Sequence, residues 1–585
     1  MHVEEYNMNA WSTSEEWFKS WDGTDLFYRT WQTPPAGNNA LVVIHRGHEH
    51  SGRLTQQIED LNLPDFKAFS WDCRGHGKSP GERGYAESYY HHVKDLDAFV
   101  NYISKKYEIP VENIAILANS VGAVTAAAWA HDYAPRIRTM VLAAPAFRIR
   151  LYIPFAIPLI RLLQKIKGKA FISSYVKSKM LTHDPAQSKS YDEDELITRN
   201  IAVNILLGLH DTSTRIMADA GAIFTPTLIL SAGSDWVVKN SAQQVFFNRL
   251  SSPVKCMEVY PGFFHAVLYE KDRQKPFAKA REFILDAFKK PVDTSFLLNA
   301  DKEGYTKEEF TRLQQPSSFF KGLNFSFQTF MMKTLGKLST GIRLGWKTGF
   351  DSGKTLDYVY ENTPQGITPL GRMLDKTYLN SVGWKGIRER GINLKACLTD
   401  AIQRIRNTGN AVRIMDVAAG PGRYVLDVLR QTPGVDITAL LRDYDPANLE
   451  AGKKISETLG LKNVIFAEGD AFNTQSLLLV TPHPNITIVS GLYELFPENK
   501  MIRASLEGIA GVTEQGGYLI YTGQPWHPQV ELIARTLINR DGDPWIMRRR
   551  TQAEMDELVR SAGYVKLSMK IDSYGIFTVS LAQKR

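Results

Sequence analysis

Short β-branched runs alternate with helical stretches in two separate series along this chain. From Leu41 to about Phe288, LVVIH, ENIAILAN, RTMVLAAP, TPTLILSAG and VKCMEVYP read as buried parallel strands. Helical stretches lie between most of them. From about Ala411 the pattern returns in AVRIMDVA, DITALLRDY, NVIFAEGD, NITIVSG and GGYLIYTG. It closes on YVKLSMKI and GIFTVSLAQ around a turn at DSYG, which predicts a strand hairpin at the edge of the second sheet. The expected class is α/β, with two doubly wound sheets.

Two intervals break the pattern. Between Ala143 and about Leu207, APAFRIRLYIPFAIPLIRLLQKIKGKAF is apolar but carries Arg148, Arg150, Arg161 and Lys165. It is too short and too charged to span a bilayer. A cap over an active site fits it, and a buried helical insert is the alternative. From about Lys289 to Asn410 the polarity is mixed. This interval holds QQPSSFFKGLNFSFQTFMMKTLGKLSTGIRLGWK, a basic amphipathic stretch. It is either a connector packing its apolar face on a domain or a membrane-surface contact. The domains expected are 1–288 with a cap at about 146–207, a linker at 289–344, and 345–585.

Length agrees with two domains, since a single core stops growing at ~250–300 residues and the chain has 585. A net charge of +8 suits phosphate groups, an anionic membrane or nucleic acid, and selects none of them. Cys73, Cys256 and Cys397 are far apart, which implies a reducing compartment and no metal site. The start, MHVEEYNMNAWSTSEEW, is acidic and lacks an apolar core, so no export signal is expected. A cytoplasmic location follows, with peripheral contact at the inner membrane surface as the amphipathic stretch allows.

The first series carries IAILANSVGAV, a strand running into Ser120 and then a helix of small residues. Ala118 and Gly122 flank Ser120 as a sharp nucleophile turn requires, although Ala118 stands where Gly is usual. Asp235 follows a later strand and His265 the next one, so the chain order is Ser, Asp, His. His265 would take the Ser120 proton, and Asp235 would fix the imidazole. Val121 should give one backbone N–H to an oxyanion, and the loop His45–Arg53 the other.

That loop and the segment Trp71–Gly81 resemble the monoacylglycerol lipase and lysophospholipase group, also classed as serine aminopeptidase S33, over roughly residues 25–288. The resemblance implies an α/β-hydrolase fold, an acyl-ester substrate and Gly47 as the second oxyanion donor. Arg46 and His48 stand where that group has glycines. It also implies that Asp72, Arg74 and His76 hold the loop beneath the site.

The second series opens on Asp416-Val417-Ala418-Ala419-Gly420-Pro421-Gly422, a small-residue loop between a strand and a helix. Such a loop lets a ligand approach the backbone closely. Asp443 ends the next strand, where a ribose-binding acid belongs, with Asp445 as its competitor. Asp470 and Ala471 follow the third strand. This set resembles the class I S-adenosylmethionine methyltransferases, with a Rossmann-like fold, over roughly residues 345–585. The resemblance implies that cofactor on Asp416, Ala418, Gly420, Gly422, Asp443, Asp470 and Ala471. Nicotinamide dehydrogenases share the loop, but Asp416, Asp470 and the closing hairpin weaken that reading. The segment Ser490–Phe496 is not the N-P-P-Y loop of enzymes that methylate a flipped base, so nucleic acid is not expected. Tyr493, Glu494 and His527 are candidate bases.

A bifunctional enzyme is expected: a serine hydrolase of an acyl ester and a methyltransferase acting on a small molecule or lipid. Two alternatives stay open, a non-catalytic hydrolase-like module and an acyltransferase using the same serine.

Overall fold

The apolar runs of the first series form the middle of an eight-stranded sheet. The computed structural model describes residues 11–33, 37–432 and 436–585. Residues 1–10, on which the export-signal reading partly rests, lie outside them. The strands are β1 (Ser12–Lys19), β2 (Asp25–Gln32), β3 (Asn39–Ile44), β4 (Phe66–Trp71), β5 (Ile114–Asn119) and β6 (Thr139–Ala143). Then come the short β7 (Phe171–Ser173) and β8 (Asn200–Ala202), which pair with each other, followed by β9 (Thr227–Ala232) and β10 (Lys255–Tyr260). The sheet order is β1-β2-β4-β3-β5-β6-β9-β10. β1, β2 and β4 are joined antiparallel and the rest are parallel. Every residue of β5 and β9 is buried, which is why both read as unbroken apolar runs. The expected strands start only at β3. β1 shows six of eight side chains to solvent and carries Ser, Thr and Glu, so no apolar run marks it.

Between β6 and β9 an insert of helices Ala156–Lys167, Pro185–Glu193 and Val203–Ala218 joins the β7–β8 pair. It falls in the interval expected to hold a cap. Ala156–Lys167 buries no residue, and beside it Phe155 is 81% exposed.

The chain divides at Asp293/Thr294 into two units, each considered by itself. The second holds β11 (Val412–Asp416), β12 (Ile437–Asp443), β13 (Val464–Glu468), β14 (Ile486–Val489), β15 (Tyr518–Gly523), β16 (Tyr564–Ile571) and β17 (Thr578–Lys584). Their order is β13-β12-β11-β14-β15-β17-β16. The first five are parallel, and β17 runs antiparallel between β15 and β16. The hairpin expected at the sheet edge is there. Alternate residues of β11 feed opposite cores, Ile414 one and Met415 the other, so helices cover both faces.

Where the sequence suggests a linker at 289–344, the second unit already begins at Thr294. Helix Phe319–Lys333 packs on helix Val530–Thr536. Helix Thr340–Thr348 packs on Gly353–Glu361 and Pro369–Leu379. Buried Asp375 fixes this layer, accepting hydrogen bonds from Gly341 N at 2.7 Å and Gln365 N at 2.9 Å. The amphipathic helix turns its apolar stripe outward: Phe319, Leu323, Phe327 and Phe330 are 60–79% exposed. No helix among the described residues is long and apolar enough to cross a membrane.

Candidate functional site

The first site forms where β5, β9 and β10 end. Ser120 follows β5 with φ +51° and ψ −109°, a left-handed turn that holds its side chain clear of both strand and helix. Gly122 is required there: a Cβ would come 2.7 Å from the His45 carbonyl oxygen and from Ile44 Cγ2. Ser120 Oγ lies 2.8 Å from His265 Nε2, and His265 Nδ1 lies 2.8 Å from Asp235 Oδ2. The other Asp235 oxygen accepts Val237 N at 2.7 Å and Val238 N at 2.8 Å. Burial opposes charge on Asp235, but His265 and those two N–H groups outweigh it and hold the carboxyl below its ordinary range. An anionic Asp235 fixes Nδ1–H, which leaves Nε2 free to accept the serine proton.

Gly47 and Val121 line the same cleft as Ser120 and His265. A Cβ at Gly47 would stand 3.1 Å from Val121 Cγ2, so the two segments face each other closely. The two departures from the glycine pattern are absorbed locally. Arg46 is held in a buried ion pair with Glu49, over the Tyr269 ring at 4.7 Å. His48 takes φ +72°, the conformation a glycine would supply, and its carbonyl accepts Thr198 N from the insert at 2.9 Å.

Asp72 accepts Ser51 N and Lys78 N, and Arg74 pairs with Asp22 and Asp95, so both brace the loops. His76 differs: it lines the cleft, as do His45, His48 and His92. Burial depresses the pKa of all four, leaving neutral imidazoles along one wall. Sequence reasoning missed that wall because the four are scattered over 48 positions (45 to 92). Apolar residues of the insert between β6 and β9, including Ile172, Ile201, Ile205 and Leu209, also line the cleft.

The second site lies at the carboxyl ends of β11, β12 and β14, where strand order reverses on either side of β11. Gly420 has φ +56°, and a Cβ there would meet nothing within 4 Å, so the turn faces open space. Gly422 (φ +72°) caps helix Arg423–Gln431, and a Cβ there would come 2.5 Å from Leu441 Cδ1. Asp443 Oδ2 accepts Gly420 N at 2.7 Å, which ties the β12 acid to the glycine turn. Asp445 caps the next helix, accepting Ala447 N at 2.9 Å. Asp470 is exposed beyond β13, while the Ala471 side chain is buried in the core. Asp416 is fully buried and bonded to Tyr424 Oη and Ala418 N. It braces the loop from beneath, and burial pushes its carboxyl up to about 7.

Of the candidate bases, Tyr493 donates to Ser505 at 2.9 Å inside the core and is set aside. Glu494 and His527 both line a separate cavity within this unit. Arg390 and Gln524, which nothing in the sequence marked, line it too. No group of three His, Cys, Asp or Glu among the described residues is placed to hold a metal.

Comparison with known proteins agrees with this division. A family model described as "Putative methyltransferase" matches residues 280–584, and one described as "Serine aminopeptidase, S33" matches residues 36–272. An Escherichia coli (strain K12) relative, "Uncharacterized protein YnbC", is 47% identical over 583 residues, 99% of each chain. "Phospholipase YtpA" of Bacillus subtilis (strain 168) is 25% identical over 246 residues, 42% of this chain and 93% of that one. The crystal structure of a Paleococcus ferrophilus monoacylglycerol lipase covers 45% of this chain and 99% of its own at 24% identity, with a TM-score of 0.41.

Proposed function

Because the chain belongs to the methyltransferase family matched over residues 280–584 and its first unit is an α/β-hydrolase of the S33 type, we propose a bifunctional enzyme. The first unit hydrolyses an acyl ester of a lipid-like molecule, of the monoacylglycerol or lysophospholipid kind. The second transfers a methyl group from S-adenosylmethionine to a small-molecule or lipid acceptor.

The observation that carries the first half is the bonded row Ser120–His265–Asp235 in a cleft lined by apolar residues of the insert. Ser120 Oγ attacks the ester carbonyl as its proton passes to His265 Nε2. The Val121 and Gly47 N–H groups receive the charge that develops on the carbonyl oxygen. His265 then returns the proton to the departing alcohol, and water repeats the cycle on the acyl-enzyme. The apolar lining suits an acyl chain and the neutral imidazoles a polar alcohol. Fluorophosphonate labelling of the protein, abolished in Ser120→Ala, tests this reading; absence of labelling in the native protein supports a non-catalytic module instead. Product analysis with added alcohols separates hydrolysis from acyl transfer.

For the second half, an acid at the end of β12, an exposed acid beyond β13 and a glycine turn with open space before it fit an adenosyl cofactor. Asp443 would hold the ribose, Asp470 the adenine, and Gly420 and Gly422 would flank the methionine portion. When bound, the cofactor supplies an electrophilic methyl group. Calorimetric titration with S-adenosylhomocysteine tests this, and no heat of binding would reject it.

The exposed stripe on helix Phe319–Lys333 supports peripheral docking on an anionic lipid surface. Lys321, Lys333, Lys337, Arg343 and Lys347 fall within the segment from Pro316 to Lys347, which contains no acidic residue. Three unpaired cysteines support a reducing, cytoplasmic setting.

A further inference from the structure

The cavity of the second unit has mostly apolar walls, among them Leu356, Tyr378, Trp384, Ile387, Trp545 and Phe577. Polar side chains interrupt them, among them Asp351, Arg390, Glu494, Gln524 and His527, and their bonding is incomplete. Arg390, Gln524 and His527 are 5%, 5% and 6% exposed, and the Glu494 side chain 9%. Glu494 Oε1 accepts Arg390 Nη1 at 3.1 Å, but Oε2 has no partner. Gln524 Nε2 has none either. Buried polar atoms are rarely left this way, because each costs about 1–3 kcal/mol. Several on residues that line one cavity point to a partner supplied by whatever fills it.

The His527 ring settles what kind of partner. Its Nδ1 accepts Gln529 N at 3.0 Å, and burial pushes its pKa down to about 4, so the ring is neutral. The hydrogen therefore sits on Nε2. His527 is thus a donor towards the cavity rather than the base its sequence position suggested. Gly383 lies against it, and a Cβ there would come 2.9 Å from Nε2. Among the groups lining it, the cavity offers an anionic acceptor in Glu494 Oε2 and neutral donors in Gln524 Nε2 and His527 Nε2, beside the unpartnered Asp351 Oδ1, Tyr378 Oη, Trp545 Nε1 and Arg390 Nε. A hydroxyl satisfies such a set, because it donates once and accepts twice. A ketone or ether cannot donate to Oε2, and an anion would meet the carboxylate. Gly491 also lines this cavity and follows β14, the strand beside the glycine-turn strand β11.

We propose that this cavity is the methyl-acceptor site, that it takes a largely apolar molecule bearing a hydroxyl, and that Glu494 holds the hydroxyl proton at Oε2. Gln524 and His527 orient the oxygen from its lone-pair side. The assignment rests on the methyltransferase reading of this unit, and it deepens that reading by naming the acceptor class.

The test is calorimetric titration of the full-length protein with 4-octylphenol and with 4-octylanisole, which keeps the shape but lacks the hydroxyl hydrogen. S-adenosylhomocysteine is titrated alongside. The native protein should prefer the phenol by roughly 10-fold or more, as a hydrogen bond to a charged group provides. Glu494→Gln keeps the volume and should reduce that preference severalfold, leaving 4-octylanisole and S-adenosylhomocysteine binding unchanged. Gln524→Met should weaken the phenol and spare the other two. Unchanged near-ultraviolet circular dichroism shows that each variant is folded. Equal affinity of the native protein for phenol and ether, binding of neither, or an undiminished preference in both variants overturns the proposal. Failure of S-adenosylhomocysteine alone to bind, with the phenol preference intact, strikes the cofactor reading and leaves the hydroxyl site standing.

Discussion

The two units place their clefts alike, at the carboxyl ends of parallel strands, but finish them differently. In the first, the reactive groups are bonded to one another: serine to histidine, histidine to aspartate, aspartate to two backbone N–H groups. In the second, several polar atoms of residues lining the cavity, Glu494 Oε2 and Gln524 Nε2 among them, lack partners. The contrast follows from where the reactive electrons reside. A serine hydrolase carries its own nucleophile, which must be activated before substrate arrives. A methyl transferase borrows both electrophile and nucleophile from its ligands, so its walls must leave hydrogen bonds for them to complete.

The largest test of this contrast is Asp235→Asn. Asparagine keeps the shape but no longer fixes the imidazole tautomer, so kcat for ester hydrolysis should fall by about 10⁴-fold. Titration of the same variant with S-adenosylhomocysteine should match the native protein. A small drop in hydrolysis would mean that the bonded row is not the engine of the first unit.

A second test uses pH. Burial raises the Asp416 carboxyl from its ordinary 3.8 to about 7 in the folded state. The native state therefore holds a proton that the unfolded chain has already lost between about pH 4 and 7. Stability from this group is complete below pH 4 and is lost as pH rises through 7, by at most about 4 kcal/mol. Asp416→Asn should flatten that slope in urea unfolding of the second unit followed from pH 5 to 8. A slope that persists in the variant would assign the titration to another group, with buried Asp572 next in line at about 6.

How much of this was legible beforehand differs between the units in the same way. Ser120, Asp235 and His265 each follow an apolar strand, so their order along the chain already predicts their meeting. The glycine turn and Asp443 were readable for the same reason. Asp416 and Asp445 looked like ligands because an acid near a strand end is all that sequence displays. Which acid spends its oxygens on a helix cap or a buried tyrosine is decided by backbone geometry. Arg390 and Gln524 were invisible for a further reason. Arg390 sits inside helix Val382–Arg406 and reads as an ordinary helical residue until its pairing across to Glu494 is seen. Strand β1 escaped because an edge strand with solvent on six of its eight side chains carries no apolar run.

The third test weighs one acid of the second cleft. Asp443→Ala removes the carboxylate that accepts Gly420 N and would hold the ribose, so affinity for S-adenosylhomocysteine should drop by roughly 10- to 100-fold. Ester hydrolysis should be untouched. Asp445→Ala should leave affinity nearly unchanged, because its carboxylate serves the helix cap.

The smallest expected effect concerns how an apolar ligand reaches the second cavity. Helix Phe319–Lys333 has one face on helix Val530–Thr536 and presents Phe319, Leu323, Phe327 and Phe330 to solvent. Those positions are spaced four, four and three apart, so they form one stripe. Met332, near the end of the same helix, lines the cavity. A stripe seated on a bilayer would thus bring the cavity wall to the surface that holds apolar hydroxyl compounds. Flotation with vesicles rich in phosphatidylglycerol should carry the native protein upward, and raising the salt should weaken it through the lysines. Phe319→Ser combined with Phe327→Ser should lower partitioning by about 10-fold, the scale expected when two side chains leave an interfacial region. Binding of water-dispersed 4-octylphenol should be the same in this variant, because neither phenylalanine lines the cavity. Undiminished flotation of the double variant would detach the stripe from membrane docking and leave the cavity to be filled from solution.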